Sequence, residues 1–128
     1  MNILLDTHIL LWFLTDDDKL PLHIKETIQD PNNTVYTSIV SFWEISIKLS
    51  LEKLKLDITF EKLYDESFNI GFHILHIQKH HLSILKELPF LHRDPFDRLL
   101  ISQANSDNLT LITADINNHK YDVDVLWK

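Results

Sequence analysis

Short apolar runs alternate along the chain with stretches of helical period. Asn2-Ile3-Leu4-Leu5 is an apolar run that stops at Asp6, the pattern of a strand buried on both faces of a parallel sheet. Thr7 to Leu14 follows as an apolar helix, with Asp6 or Thr7 placed to cap it. Pro21 opens a second helix to about Gln29, closed by Asp30-Pro31-Asn32-Asn33. Val35-Tyr36-Thr37 is the next strand, and Ser38 to about Leu51 is a long helix running into Lys53-Leu54-Lys55-Leu56. A helix over about Thr59 to Asn69 ends with Gly71 just beyond its cap, where a left-handed residue is wanted. His73-Ile74-Leu75 reads as a third strand, and Gln78 to Glu87 as a helix stopped by Pro89. After a loop from Pro89 to Asp94, Pro95 opens a helix to about Asp107. Leu109 to Thr113 is a fourth strand, and about Val123 to Leu126 a short fifth. Strands alternating with helices predict one α/β domain over residues 1–128, built on a parallel sheet covered on both faces.

Composition narrows the chemistry. No apolar run approaches the roughly 20 residues that span a bilayer, so a membrane protein is not expected. Met1-Asn2-Ile3 lacks the basic start of a signal peptide, and a chain without cysteine suits a reducing compartment, so a cytoplasmic location is the expectation. The absence of cysteine also removes thiolate catalysis and Cys-type zinc sites. One glycine, Gly71, cannot supply a P-loop, a dinucleotide fingerprint or a nucleophile elbow. The net charge of −7 argues against binding nucleic acid through a basic surface. It is compatible with a nuclease whose site must be acidic to hold metal ions.

Four carboxylates stand where a packed core should not want them. Asp6 ends the first strand and Asp115 follows the fourth after Thr113-Ala114. Ligands of open parallel sheets collect beyond the carboxyl ends of the strands, where strand order reverses. If strands one and four are neighbours there, Asp6 and Asp115 face one another. Taken singly, each reads first as a helix N-cap, a very common use of Asp and a role compatible with binding a ligand. Glu44 shares a helical stripe with Val40, Ile47 and Leu51, and Phe42, Ile45 and Leu49 line the opposite stripe, so both sides of this helix read as buried. A capping box from Ser41 to Glu44 would require the helix to begin at Ser41, and Ser38 is the better cap. In Asp94-Pro95-Phe96-Asp97, Asp94 is the natural cap, while Asp97 leads the apolar face of Leu100, Ile101 and Ala104. Buried carboxylates cost several kcal/mol unless a cation meets them. A shared hard divalent ion, Mg²⁺ or Mn²⁺, answers all four. One or two such ions would activate water against a phosphodiester without a side-chain nucleophile.

These stretches resemble the PIN-domain ribonucleases, and most closely the VapC-type toxins of bacterial toxin–antitoxin pairs. The matching residues are Leu5-Asp6-Thr7-His8-Ile9-Leu10-Leu11-Trp12, Ser41-Phe42-Trp43-Glu44-Ile45, His92-Arg93-Asp94-Pro95-Phe96-Asp97-Arg98-Leu99-Leu100-Ile101 and Leu109-Thr110-Leu111-Ile112-Thr113-Ala114-Asp115. The resemblance implies a three-layer α/β/α fold with strand order 3-2-1-4-5, Mg²⁺- or Mn²⁺-dependent endoribonuclease activity, a homodimer and inhibition by a cognate antitoxin. By position, Asp6, Glu44, Asp97 and Asp115 carry over as the catalytic, metal-binding quartet, with Asp6 and Asp97 as direct ligands. Thr113 carries over as a hydroxyl at the site. Related PIN domains also act in RNA processing, and others bind RNA or protein without cutting; the complete quartet speaks against the last.

Arg93 and Arg98 flank Asp97 and are candidates to meet RNA phosphates, with solvated surface as the alternative. Lys48, Lys53 and Lys55 offer a small basic rim, with exposed helix and turn as the plainer reading. Among the eight histidines, His76, His80 and His81 are the nearest to a zinc pattern, but His76 ends a strand and no third ligand matches. His8 reads as part of a buried helix, and Trp12, Phe13, Phe42 and Trp43 as core. Two other α/β classes fail on spacing. A receiver-type signalling module needs adjacent acids after strand one and an Asp ending strand three, where this chain has a lone Asp6 and His76-Ile77. A haloacid-dehalogenase-like phosphatase needs a second Asp two positions after Asp6, where His8 stands.

Overall fold

The computed structural model describes residues 1–127; Lys128, the last residue of the expected domain, lies outside them. The strands are β1 (Asn2–Leu5), β2 (Thr34–Ser38), β3 (His73–Leu75), β4 (Thr110–Ile112) and β5 (Val125–Leu126). The helices are α1 (Thr7–Leu14), α2 (Leu22–Gln29), α3 (Ile39–Ser50), α4 (Phe60–Asn69), α5 (Lys79–Leu85) and α6 (Pro95–Ser106). All strands are parallel and ordered β3-β2-β1-β4-β5. The α/β class, the three layers and the order 3-2-1-4-5 therefore stand as expected.

The sheet has two apolar faces because successive strand residues point in opposite directions. Ile3 and Leu5 of β1, Val35 of β2 and Ile112 of β4 face one layer, against Ile9 and Leu10 of α1, Ile24 and Ile28 of α2, Phe42 and Ile45 of α3, and Leu63 of α4. Leu4 and Leu111 face the other, against Val40 and against Leu99, Leu100, Ile101 and Ala104 of α6. Helix α3 contributes to both layers, which is why its two stripes look buried in the sequence. The stripe carrying Glu44 ends sooner than expected, since Ile47 is only half-buried and Leu51 is exposed.

Element ends differ where local chemistry stops them. Asn108 takes a positive φ of 56° and Leu109 N–H returns to the Ala104 carbonyl, so β4 begins only at Thr110. β5 is an edge strand paired through Val125 and Leu126 alone. A 3-10 turn at Asn118–Lys120, which the apolar pattern does not signal, lies between β4 and β5. Gly71 does follow the α4 cap with φ 100°. Among the described residues, no helix is long and apolar enough to cross a membrane.

β1 leads to β2 and β3 on one side, and the chain then crosses back to place β4 on the other side of β1. The reversal of strand order thus falls at the C-terminal ends of β1 and β4. Asp6 N–H extends that pair, donating to the Ile112 carbonyl at 3.0 Å.

Candidate active site

Asp6 is held there from two sides. Its Oδ1 accepts from the Thr7 amide at 2.6 Å, so it is the cap of α1, and its Oδ2 accepts from Thr113 Oγ1 at 2.6 Å. Thr113, buried at the end of β4, has one hydroxyl proton, which goes to Asp6. Its lone pairs accept from the Asp115 amide at 3.2 Å and the Asn118 Nδ2 at 3.1 Å. One threonine therefore ties Asp6 to the turn that presents Asp115. Asp115 is half-buried and its Oδ1 accepts from the Asn117 amide at 2.9 Å, an Asx turn leaving Oδ2 without a hydrogen bond among the described residues.

Glu44 is brought across by α3, which begins at Ser38, as the capping bond from Val40 N–H to Ser38 Oγ shows. Its Oε1 accepts from Thr7 Oγ1 at 2.8 Å, and Ser41 Oγ lies 3.0 Å from the same hydroxyl. Its Oε2 pairs with Lys48 Nζ at 2.7 Å. Asp97 sits in the first turn of α6. Asp94 caps that helix, its Oδ1 accepting from the Phe96 and Asp97 amides at 2.9 and 3.1 Å. Asp97 Oδ2 meets His92 Nε2 at 3.3 Å, and its Oδ1 accepts no hydrogen bond among the described residues.

Asp6, Glu44 and Asp97 are each less than a tenth exposed. Burial pushes Asp97 from 3.8 up to about 8, helped by the negative charges of Asp6, Asp94, Asp115 and Glu44. Burial also raises Asp6, outweighing the hydrogen bonds from Thr113 and Thr7 and the nearby His8. The four acids thus sense one another electrostatically. No three of them bring oxygens within 4.8 Å of each other, as repelling carboxylates would arrange themselves.

The PIN domain family model matches this chain over residues 3–124, nearly its whole length. The chain belongs to the PIN domain family. No curated protein sequence matches it. Solved structures with the same fold include VapBC2 from Rickettsia felis bound to a DNA fragment from its promoter, at 20% identity, TM-score 0.75, covering 100% of this chain and 99% of that one. VapBC-1 from nontypeable Haemophilus influenzae superposes with a TM-score of 0.69 at 18% identity, covering 99% and 98%. VapBC-5 from Mycobacterium tuberculosis gives 0.65, 18%, 99% and 98%.

In this PIN domain Asp6, Glu44, Asp97 and Asp115 gather at the predicted edge of the sheet, but two other candidates take different places. Arg98 is buried, and its guanidinium donates to the Leu88 and Pro89 carbonyls at 3.1 and 2.7 Å and to Tyr121 Oη at 3.2 Å. With Phe90 against its face at 4.0 Å, it fastens the loop before α6 and is not a phosphate contact. Thr113, fully buried with its hydroxyl committed three ways, positions acids and cannot reach substrate. Arg93 is exposed, as a phosphate contact requires. His8 is exposed rather than buried, Phe42 is core, and Trp43 is 50% exposed.

Only the fold shows that Thr7, Ser41, His92 and Asn118 belong to the site. Their polar side chains carry no periodic signal; Thr7, Ser41 and His92 are marked only by lying in the acidic motifs, and Asn118 by nothing in the sequence. His80, His81 and Asp107 do cluster, without His76. His81 Nδ1 accepts from the Gln78 amide at 2.9 Å, so Nε2 carries the proton and donates to Asp107 Oδ2 at 3.0 Å. That proton occupies the nitrogen a metal would need, and the cluster serves to clamp α5 to α6.

The acidic site itself fits a hard cation. Its donors are all oxygen, and among the described residues Lys48 is the one ammonium paired with these acids and Asn118 Oδ1 is a buried acceptor without a partner.

Proposed function

We propose that this PIN domain is a Mg²⁺- or Mn²⁺-dependent endoribonuclease, that it is the toxin of a toxin–antitoxin pair, and that it acts as a homodimer in the cytoplasm. The observation that carries the nuclease reading is the meeting of Asp6, Glu44, Asp97 and Asp115 at the switch point, where burial and the neighbouring acids push Asp97 up to about 8. Asp6 and Asp97 are the direct metal holders, with Glu44 and Asp115 completing the set. A bound divalent ion supplies a polarised water and neutralises charge on the phosphate.

The chain's own groups fix the acids. Thr113 and the Thr7 amide set the plane of the Asp6 carboxylate, Thr7 Oγ1 holds Glu44, and the Asx turn aims Asp115. A separate hollow is lined by Phe13, Ile28, Val35 and Phe72 near the opposite end of the sheet. A −7 protein repels RNA at long range, so affinity must come from metal-bridged phosphate and local contacts such as Arg93. The antitoxin reading is supported by the VapBC complexes that share the fold, one of them described as belonging to a family of toxin–antitoxin systems.

Purified protein incubated with RNA should cleave in Mg²⁺ or Mn²⁺ and stop in EDTA. Asp6→Asn or Asp97→Asn should abolish cleavage in a folded protein. Asp94→Asn should cost little, because Asn caps helices about as well as Asp. Cleavage that ignores EDTA, or full activity of the Asp97 variant, would refute the assignment. Expression of the wild type, but not of Asp97→Asn, should arrest growth. A protein that cuts RNA without arresting growth belongs to RNA processing instead.

A further inference from the structure

The loop between α5 and α6 is bound to Tyr121 as well as to Arg98, and its hydrogen bonds leave one arrangement of protons. Tyr121 Oη receives Arg98 Nη1–H at 3.2 Å and the backbone N–H of His92 at 3.2 Å. Those two donors use both lone pairs of the hydroxyl. Its own proton has one remaining neighbour, His92 Nδ1 at 2.8 Å. His92 Nδ1 is therefore an acceptor, the ring proton sits on Nε2, and Nε2–H donates to Asp97 Oδ2 at 3.3 Å. Arg98 and Tyr121 are each 5% exposed, so water does not compete for the bonds between them.

We propose that His92 is a positioning residue for the metal-binding carboxylate: Tyr121 fixes its tautomer, and its Nε2–H holds Asp97 Oδ2 so that Oδ1 faces the ion. This rests on the metal-dependent reading above. Asp97 lies in the first turn of a helix whose cap engages only its amide, so His92 is the sole hydrogen-bond partner of its side chain among the described residues. Without it the carboxylate is free to rotate about its last bond. Partners of this kind behind a metal ligand are worth 10–100-fold in affinity.

The test uses the full chain. In metal-free wild type, ¹⁵N shifts of the His92 imidazole should report the Nε2–H tautomer, and Tyr121→Phe should mix the two tautomers. Mn²⁺ affinity is then read from melting temperature against Mn²⁺ concentration. A glutamine amide reaches the place of Nε2 and an asparagine amide the place of Nδ1, so His92→Gln should stay within about threefold of wild type. His92→Asn and His92→Ala should bind Mn²⁺ roughly tenfold more weakly, with circular dichroism showing them folded. A wild-type proton on Nδ1, or equal affinities for the Gln and Asn variants, overturns the role of His92 while leaving the metal site intact. A wild-type melt indifferent to Mn²⁺ overturns the metal reading and this one with it.

Discussion

Replacing Asp97 by Asn removes one negative charge from a site where burial and four other acids oppose it. Its carboxyl titrates near 8 in the folded chain against 3.8 as a free side chain. The folded state therefore holds the proton more tightly than the unfolded state. As pH rises from about 4 to about 8 the unfolded chain ionises first, so wild-type stability falls through that window and levels off above it. At 1.36 kcal/mol per pH unit the full interval is worth about 6 kcal/mol. Asp115 is half-buried, so solvent screens part of the repulsion, and we expect about 2–3 kcal/mol to survive. For a chain of this size that is roughly 10 °C in melting temperature. In EDTA, Asp97→Asn should melt above wild type at pH 8 and level with it near pH 4. Subtracting the two profiles cancels the other histidines and carboxylates. Mn²⁺ at pH 8 should raise wild type and leave the variant nearly unmoved. Parallel profiles across the window, or an Asn variant less stable than wild type at pH 8, would show that Asp97 is an ordinary carboxylate.

Thr113→Val strips Asp6, Asp115 N–H and Asn118 of their common partner; calorimetry should show a loss of roughly 2–3 kcal/mol, with weaker Mn²⁺ binding by titration. Arg98→Met should destabilise by about 2–4 kcal/mol in denaturant melts, since the Leu88 and Pro89 carbonyls and Tyr121 lose their donor. Arg93→Gln should leave the melt unchanged and raise KM for RNA, with a shallower salt dependence. An antitoxin should place a basic residue, Arg above all, among Asp6, Glu44, Asp97 and Asp115; a complex whose antitoxin avoids that region would refute this.

Order along the chain was enough to reach a covered parallel sheet, while the strand order 3-2-1-4-5 came only through the resemblance of its motifs. Apolar runs such as Ile3-Leu4-Leu5 can only be buried on both faces, and their alternation with helices leaves a covered parallel sheet as the simple solution. The acids were legible for the same reason: Asp6, Glu44 and Asp97 are charged residues in apolar company, and that conflict shows in one dimension. Chain order could not say what each polar side chain touches. Arg98 and Arg93 look alike beside Asp97, yet one is buried on carbonyls of its own loop and the other faces solvent. Thr113 looks like a free hydroxyl until Asp6, 107 positions away in sequence, takes its proton. His92 and Tyr121 meet across 29 positions and settle which ring nitrogen faces Asp97. Burial follows from local pattern because it depends on the run of residues itself. Hydrogen-bond partners, tautomers and the raised Asp97 depend on distances between remote segments, and only the folded chain sets those.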